Sequence, residues 1–273
     1  MANTDFFAWA VPAFINGSPV DHTWVTTFDN RLHSYPDEHA VATAGEHYWF
    51  CWGSYHLLGG TPGIPSGFLG KQKGSLPLAK CLVLENANSS HFAAARGTIF
   101  TYGVDGVCHQ LANQVLFATK GSGSPMTVRR ARGYGPSTFL YGTYGLQASA
   151  WASKKLSCAG GSHSPSVVTK EAMSSMRVDD DFEAHARVML VGEPELLAKL
   201  LSLRDEVQRY AAQPMPSFAP PTADTLNARN QHLIDQAAIL LGPEKFSAVF
   251  GMEPGEKIQL VDPNVTSLSQ PPK

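Results

Sequence analysis

Apolar and polar positions alternate with two different periods along this chain, and the change of period divides it. Up to about residue 90 the apolar segments are short, β-branched and aromatic, and turn residues separate them. Residues Trp24 to Phe28 form one such run, closed by Asp29 and Asn30, and Leu32 to Tyr35 is expected to return beside it as a partner strand. The stretch from His47 to Tyr55 and that from Lys80 to Leu84 read as further strands, with the loop-forming GGTPGIPSG between them. From Val107 to Thr119 the period becomes helical: Leu111, Val115 and Ala118 fall on one face, and Gly121 and Gly123 stop the pattern. The Gly- and Tyr-rich segment 133–145 reads as a bulged strand or a loop lining a cleft. Residues 157–178 are small and polar, and read as a flexible connection.

Beyond that connection, Glu193-Pro194 opens a helix through Ala212 with Leu197, Leu200, Leu201 and Val207 as its core stripe. Asp224 or Thr225 is placed to cap a second helix that Gly242 stops. Pro243 opens a third, ending near Gly251, and the tail through SLSQPPK is expected to fray. The pattern divides the chain into a mixed α+β domain at 1–156, the connection at 157–178 and a helical extension at 179–273.

Composition narrows the functional classes. With 273 residues, 43% hydrophobic and 16% charged, the chain is long enough to bury a sizeable core. A net charge of −2 gives no global field for nucleic acid. The short basic cluster of Arg129, Arg130 and Arg132 reads as a solvated surface. Neither a signal peptide nor a transmembrane run is evident, so a cytoplasmic protein, or one exported without a signal peptide, is expected. The four cysteines at 51, 81, 108 and 158 lack metal-type spacing, and no HExxH motif or phosphate-cradling loop occurs. The site is therefore expected to use no metal and no cofactor.

Cys108 is the cysteine whose setting suggests chemistry. It lies in DGVCHQLANQVL, at the first turn of the expected helix, where free N–H groups and the positive end of the helix dipole favour a thiolate. The Asp105-Gly106 turn is expected to expose its sulfur, and Asp105 to cap the helix or, as the alternative, to bind substrate. A thiolate nucleophile needs a base, usually histidine, itself oriented by a third group. His22 begins the segment DHTWVTTFDN, and His33 follows on the expected return strand, so the two imidazoles are expected side by side. His47 and His56 are alternatives for the third position. His109, about 100° around the helix from Cys108, reads as a packing or cleft residue.

A histidine at a strand start, a second polar residue on the return strand, and then a cysteine at a helix start resembles the order in the circularly permuted papain-like group. That group includes lecithin:retinol acyltransferase and related acyltransferases. The string VCHQL followed by Asn113, and ARGTIFTYGVDG before it, are similar to the family's cysteine motif and its approach. The resemblance covers about residues 10–120. It implies Cys108 as nucleophile, His22 as base and His33 as the orienting residue. The implied fold is an antiparallel sheet with a nucleophile-bearing helix. The implied activity is hydrolysis or acyl transfer on an ester, thioester or amide. Its substrate would be a small-molecule, lipid or peptide acyl compound, and the C-terminal helices are a candidate surface for a protein partner. The other functional class is a binding module: Trp9, Trp24, Trp49 and Trp52, with Tyr134, Tyr141 and Tyr144, on a catalytically silent papain-like scaffold.

Overall fold

The computed structural model describes residues 4–12, 18–27, 51–52, 82–89, 103–119, 127–146, 180–212 and 221–263. Among these residues four strands, β1 (Thr4–Pro12), β2 (Asp21–Thr27), β3 (Cys51–Trp52) and β4 (Leu82–Ser89), form one antiparallel sheet in the order β3-β2-β1-β4. Six helices follow among the described residues: α1 (Cys108–Thr119), α2 (Tyr134–Tyr141), α3 (Asp181–Met189), α4 (Pro194–Ala211), α5 (Ala223–Leu241) and α6 (Pro243–Phe250).

The strand expected around Trp24 is β2, and it has a partner that the sequence pattern did not announce. β1 pairs with it along its whole length, from Phe6 opposite Thr27 to Pro12 opposite Asp21. The run FFAWAVP is a strand because its aromatic and β-branched residues suit a pleated surface, and Pro12 sits at its end, where a missing N–H costs least. On its other edge β2 meets β3 at Trp24 and Val25. The return strand expected at Leu32 to Tyr35 lies outside the described residues. So do the connection at 157–178 and the tail beyond 263. In β4 the register slips between Ala8 and Trp9 of its partner, which leaves Leu84 without an opposite number, a β-bulge.

Segment 133–145, expected as strand or loop, contains α2 instead. Gly133 adopts φ +79° at its N-cap, a conformation costly for side-chain-bearing residues, and a Cβ there would meet Val20 at 2.8 Å. Its helix buries Phe139, Leu140 and Tyr141 completely. Further along, α3 starts at an Asp180 N-cap that accepts from the Glu183 N–H. The cap of α5 is Thr222, accepting from Thr225, rather than Asp224 or Thr225. In α4 the buried stripe runs through Leu200, Arg204, Val207 and Ala211, with Leu197 and Leu201 only half-buried. Arg204 is tolerated inside because its guanidinium pairs with Asp180 at 2.7 Å, donates to the Thr138 carbonyl and lies over the Phe182 ring.

The C-terminal helices share buried contacts with α1 and α2. One continuous set of buried side chains runs from Val20, Val107 and Leu111 through α2 to Phe250, Ile258 and Val261. Phe139, Phe182 and Phe250 meet with centroids 5.2 to 5.5 Å apart, and Phe246 stacks on Phe250 at 4.6 Å. Polar bonds bind the same parts together. Asn230 donates to the Tyr141 hydroxyl, which donates to the Gly103 carbonyl, and the Gln259 N–H donates to the Ser18 hydroxyl.

Candidate active site

Helix α1 begins at the expected cysteine. Val107 is its N-cap and has no side-chain acceptor of its own, so Gln110 reaches back and accepts the Val107 N–H at 3.0 Å. The amide of Gln110 also donates to the Gly142 carbonyl, which ties the start of α1 to the end of α2. Asn113, one turn further, donates to the Tyr134 hydroxyl and the Thr143 carbonyl, and accepts from the Val128 N–H. These bonds fix the rotation of the helix and with it the position of residue 108.

The helix packs against β2. There the Cys108 thiol donates to the Asp21 carbonyl at 3.9 Å, and the N–H and hydroxyl of Thr23 and the N–H of His109 lie against the sulfur. In an extended strand the carbonyl of one residue and the N–H two residues on face the same edge. The sulfur is therefore seated at Asp21 and Thr23 of β2, the strand that also carries His22. Residues 87 apart in sequence are joined here. His33, His47 and His56 lie outside the described residues.

Two expectations about the thiol fail. Its residue is only 6% exposed, so the Asp105-Gly106 turn does not present the sulfur to solvent. Burial also pushes the thiol up from its ordinary 9.0 to about 11, overcoming the thiolate-favouring contacts from Thr23 and His109. The helix-start advantage is real but smaller than the cost of taking a thiolate out of water. At rest the group is a protonated thiol.

Comparison with protein-family models, curated proteins and solved structures finds no match to this chain. Its chemistry must be read from the site itself.

His109 is excluded as the base. It is 1% exposed, with Nδ1 2.8 Å from the Ser137 hydroxyl and Nε2 3.0 Å from the Asp21 carbonyl. A carbonyl only accepts, so the neutral ring carries its proton on Nε2, and Nδ1 lies against the Ser137 hydroxyl, whose single proton is also within reach of the Tyr134 carbonyl. Burial holds the ring at about 4, so it is neutral at physiological pH with both nitrogens engaged. It is a packing residue.

Asp21 is the residue that sequence reasoning passed over. Its carbonyl receives both Cys108 and His109, while its carboxylate accepts from the Arg132 N–H and guanidinium and its own N–H donates to the Arg132 carbonyl. Its position beside His22 was visible in the sequence, but its partner 111 residues away was not. Among the described residues no group of three or more His, Cys, Asp and Glu side chains is arranged to hold a metal, and no helix is long and apolar enough to cross a membrane. Trp9, Trp24 and Trp52 occupy one row across β1, β2 and β3.

Proposed function

We propose that this chain is a thiol-dependent acyl hydrolase or acyltransferase on a circularly permuted papain-like domain, with Cys108 as nucleophile and His22 as base. The observation that carries the reading is the seating of the Cys108 sulfur on Asp21 and Thr23 of β2, the strand that carries His22. A sequence separation of this size has no local reason to close on those two residues.

Because the resting sulfur is protonated, the base acts during attack rather than before it. The His22 imidazole takes the thiol proton as the sulfur bonds to the acyl carbon, and the carbonyl electron pair moves onto oxygen. Backbone N–H groups at the start of α1, that of Cys108 among them, stabilise the oxyanion. As the carbonyl re-forms, the alcohol, thiol or amine leaves with the proton from His22. A thioester at Cys108 remains, and water or a second nucleophile, deprotonated by His22, resolves it. His33 is the proposed orienting group, with His47 and His56 as alternatives.

The test is incubation of the full chain with a panel of activated esters, thioesters and peptide amides, read as turnover and as acyl adducts by intact mass. Cys108→Ala should abolish both while keeping the thermal transition. His22→Gln should lower turnover by about 10²-fold or more, the usual share of a general base. Unchanged turnover in Cys108→Ala, or an adduct on a different cysteine, overturns the proposal. The covered sulfur favours a second reading, a silent scaffold that binds its ligand without chemistry. That reading predicts no adduct from any member of the panel.

A further inference from the structure

Thr23 is fully buried, and its hydroxyl makes no hydrogen bond in the resting chain although it lies against the Cys108 sulfur. Buried polar groups left in this way are uncommon in native structures, and each calls for a reason. Arg204 and Arg229 also leave one guanidinium nitrogen without a partner, but their other nitrogens are bonded to oxygen acceptors. Thr23 has a single polar side-chain atom, so nothing compensates for it. Valine, of the same shape and equally suited to a strand, would fill the position without leaving a hydroxyl unpaired. The fold of β2 therefore does not account for this hydroxyl.

The chemistry of the sulfur does. A neutral thiol is a weak acceptor, and a hydroxyl beside it gains little. A thiolate is a strong one, because a hydrogen bond to a charged acceptor is shorter and about twice as strong. Two more donors reach the same atom: the Thr23 N–H from β2 and the His109 N–H from the first turn of α1. The thiol's own proton is directed to the Asp21 carbonyl at 3.9 Å. When that proton leaves, the carbonyl still holds the His109 ring, whose Nε2 lies 3.0 Å away. Among the described residues the charged group that acts on the sulfur is Asp262, and it opposes a thiolate. Stabilisation of the charged sulfur falls to the neutral donors around it.

We propose that the Thr23 hydroxyl is a catalytic donor held in reserve, bonding to the Cys108 sulfur as negative charge develops there and letting go once the thioester has formed. This rests on the reading of Cys108 as nucleophile, and adds to it a residue that acts on the reacting atom. The thiol proton passes to His22, while the Thr23 proton stays on its own oxygen throughout. An interaction absent at rest and present in the charged state lowers the barrier, whereas one of equal strength in both states does not.

The experiment compares the full chain with its Thr23→Val and Thr23→Ser variants by iodoacetamide modification of Cys108 between pH 8 and 9.5, with thermal midpoints measured alongside. Removing the hydroxyl should lower the thiolate fraction about tenfold, the weight of one hydrogen bond to a charged acceptor. The more basic thiolate that remains returns about a factor of three, so Thr23→Val should react about threefold more slowly than the parent. Restricted access to the sulfur is common to all three forms and cancels in the ratio. Thr23→Ser keeps the donor and should react at close to the parent rate. The midpoint of Thr23→Val should hold or rise, since an unpaired polar atom has left the core. An unchanged rate in Thr23→Val overturns the proposal. So does a slowing that serine fails to restore, or one that comes with a lower midpoint, because either marks a packing role. Iodoacetamide needs no acyl substrate, which separates the two readings. Turnover of esters, thioesters or amides without a Thr23 effect removes this inference alone. A Thr23 effect without turnover upholds the donor and removes the acyl reading.

Discussion

Alkylation of Cys108 in the resting chain should be slow, and the structure sets how slow. The perturbation is the seat itself, which moves the thiol from 9.0 to about 11. At pH 7.5 that lowers the thiolate fraction from about 3% to about 0.03%, roughly a hundredfold. A more basic thiolate is also the better nucleophile, with a Brønsted slope near 0.4–0.5, which returns about a factor of ten. The net expectation is a rate about tenfold below that of the same cysteine in the urea-unfolded chain, and lower still because the residue is 6% exposed. The assay is iodoacetamide modification from pH 6 to 9.5, quenched at intervals and assigned by peptide mass. The folded chain should show a rate that climbs throughout this range without a plateau. A plateau with a midpoint below pH 8, or a folded rate above the unfolded one at pH 7, would refute the reasoning. Either result means that a thiolate already exists at rest and that a nearby cation outweighs burial.

Two further outcomes follow from buried groups. The folded state holds His109 at about 4 against an ordinary 6.5, so between these values the unfolded chain binds more protons. Stability is therefore fully present above pH 6.5 and falls as pH drops toward 4, by up to about 3 kcal/mol. Urea titrations at stepped pH should show this limb, and His109→Gln should flatten it. Gly135→Ala, in α2, would set a Cβ 2.9 Å from the Phe250 backbone carbonyl, where no side-chain rotation can relieve the contact. A loss of about 1–3 kcal/mol in chemical denaturation is expected, in a single transition; no loss would mean that α2 and α6 do not approach as closely as described.

The elements legible in the sequence were those whose signals are local. Pro194, Gly242, Pro243 and Gly251 mark the ends of α4, α5 and α6, and Cys108 opens α1 as its periodicity implies. β1 escaped notice because a terminal apolar run broken by a proline does not declare a strand until β2 is there to pair with it. Similarly, the glycines of segment 133–145 suggest irregularity, whereas α2 is held by what it buries. Cys108 does meet β2, the strand that carries His22, but at Asp21 and Thr23, which nothing local to the cysteine announces. Its proton affinity could not be anticipated either, because burial is a property of the assembled core rather than of the helix start.

The Ser18 hydroxyl that receives the Gln259 N–H spans 241 residues, and Val20 shares its core with Leu260 and Val261. During synthesis at about 5–20 residues per second, the strand bearing Asp21 waits on the order of ten seconds or more for those partners. Contacts so distant in sequence contribute little until the intervening loop has closed. The seat of Cys108 is thus assembled well after the cysteine itself is made, and a chain stalled before residue 258 carries the cysteine without its finished surroundings. Folding order itself keeps the thiol's final environment from forming before residues 259–261 have been made.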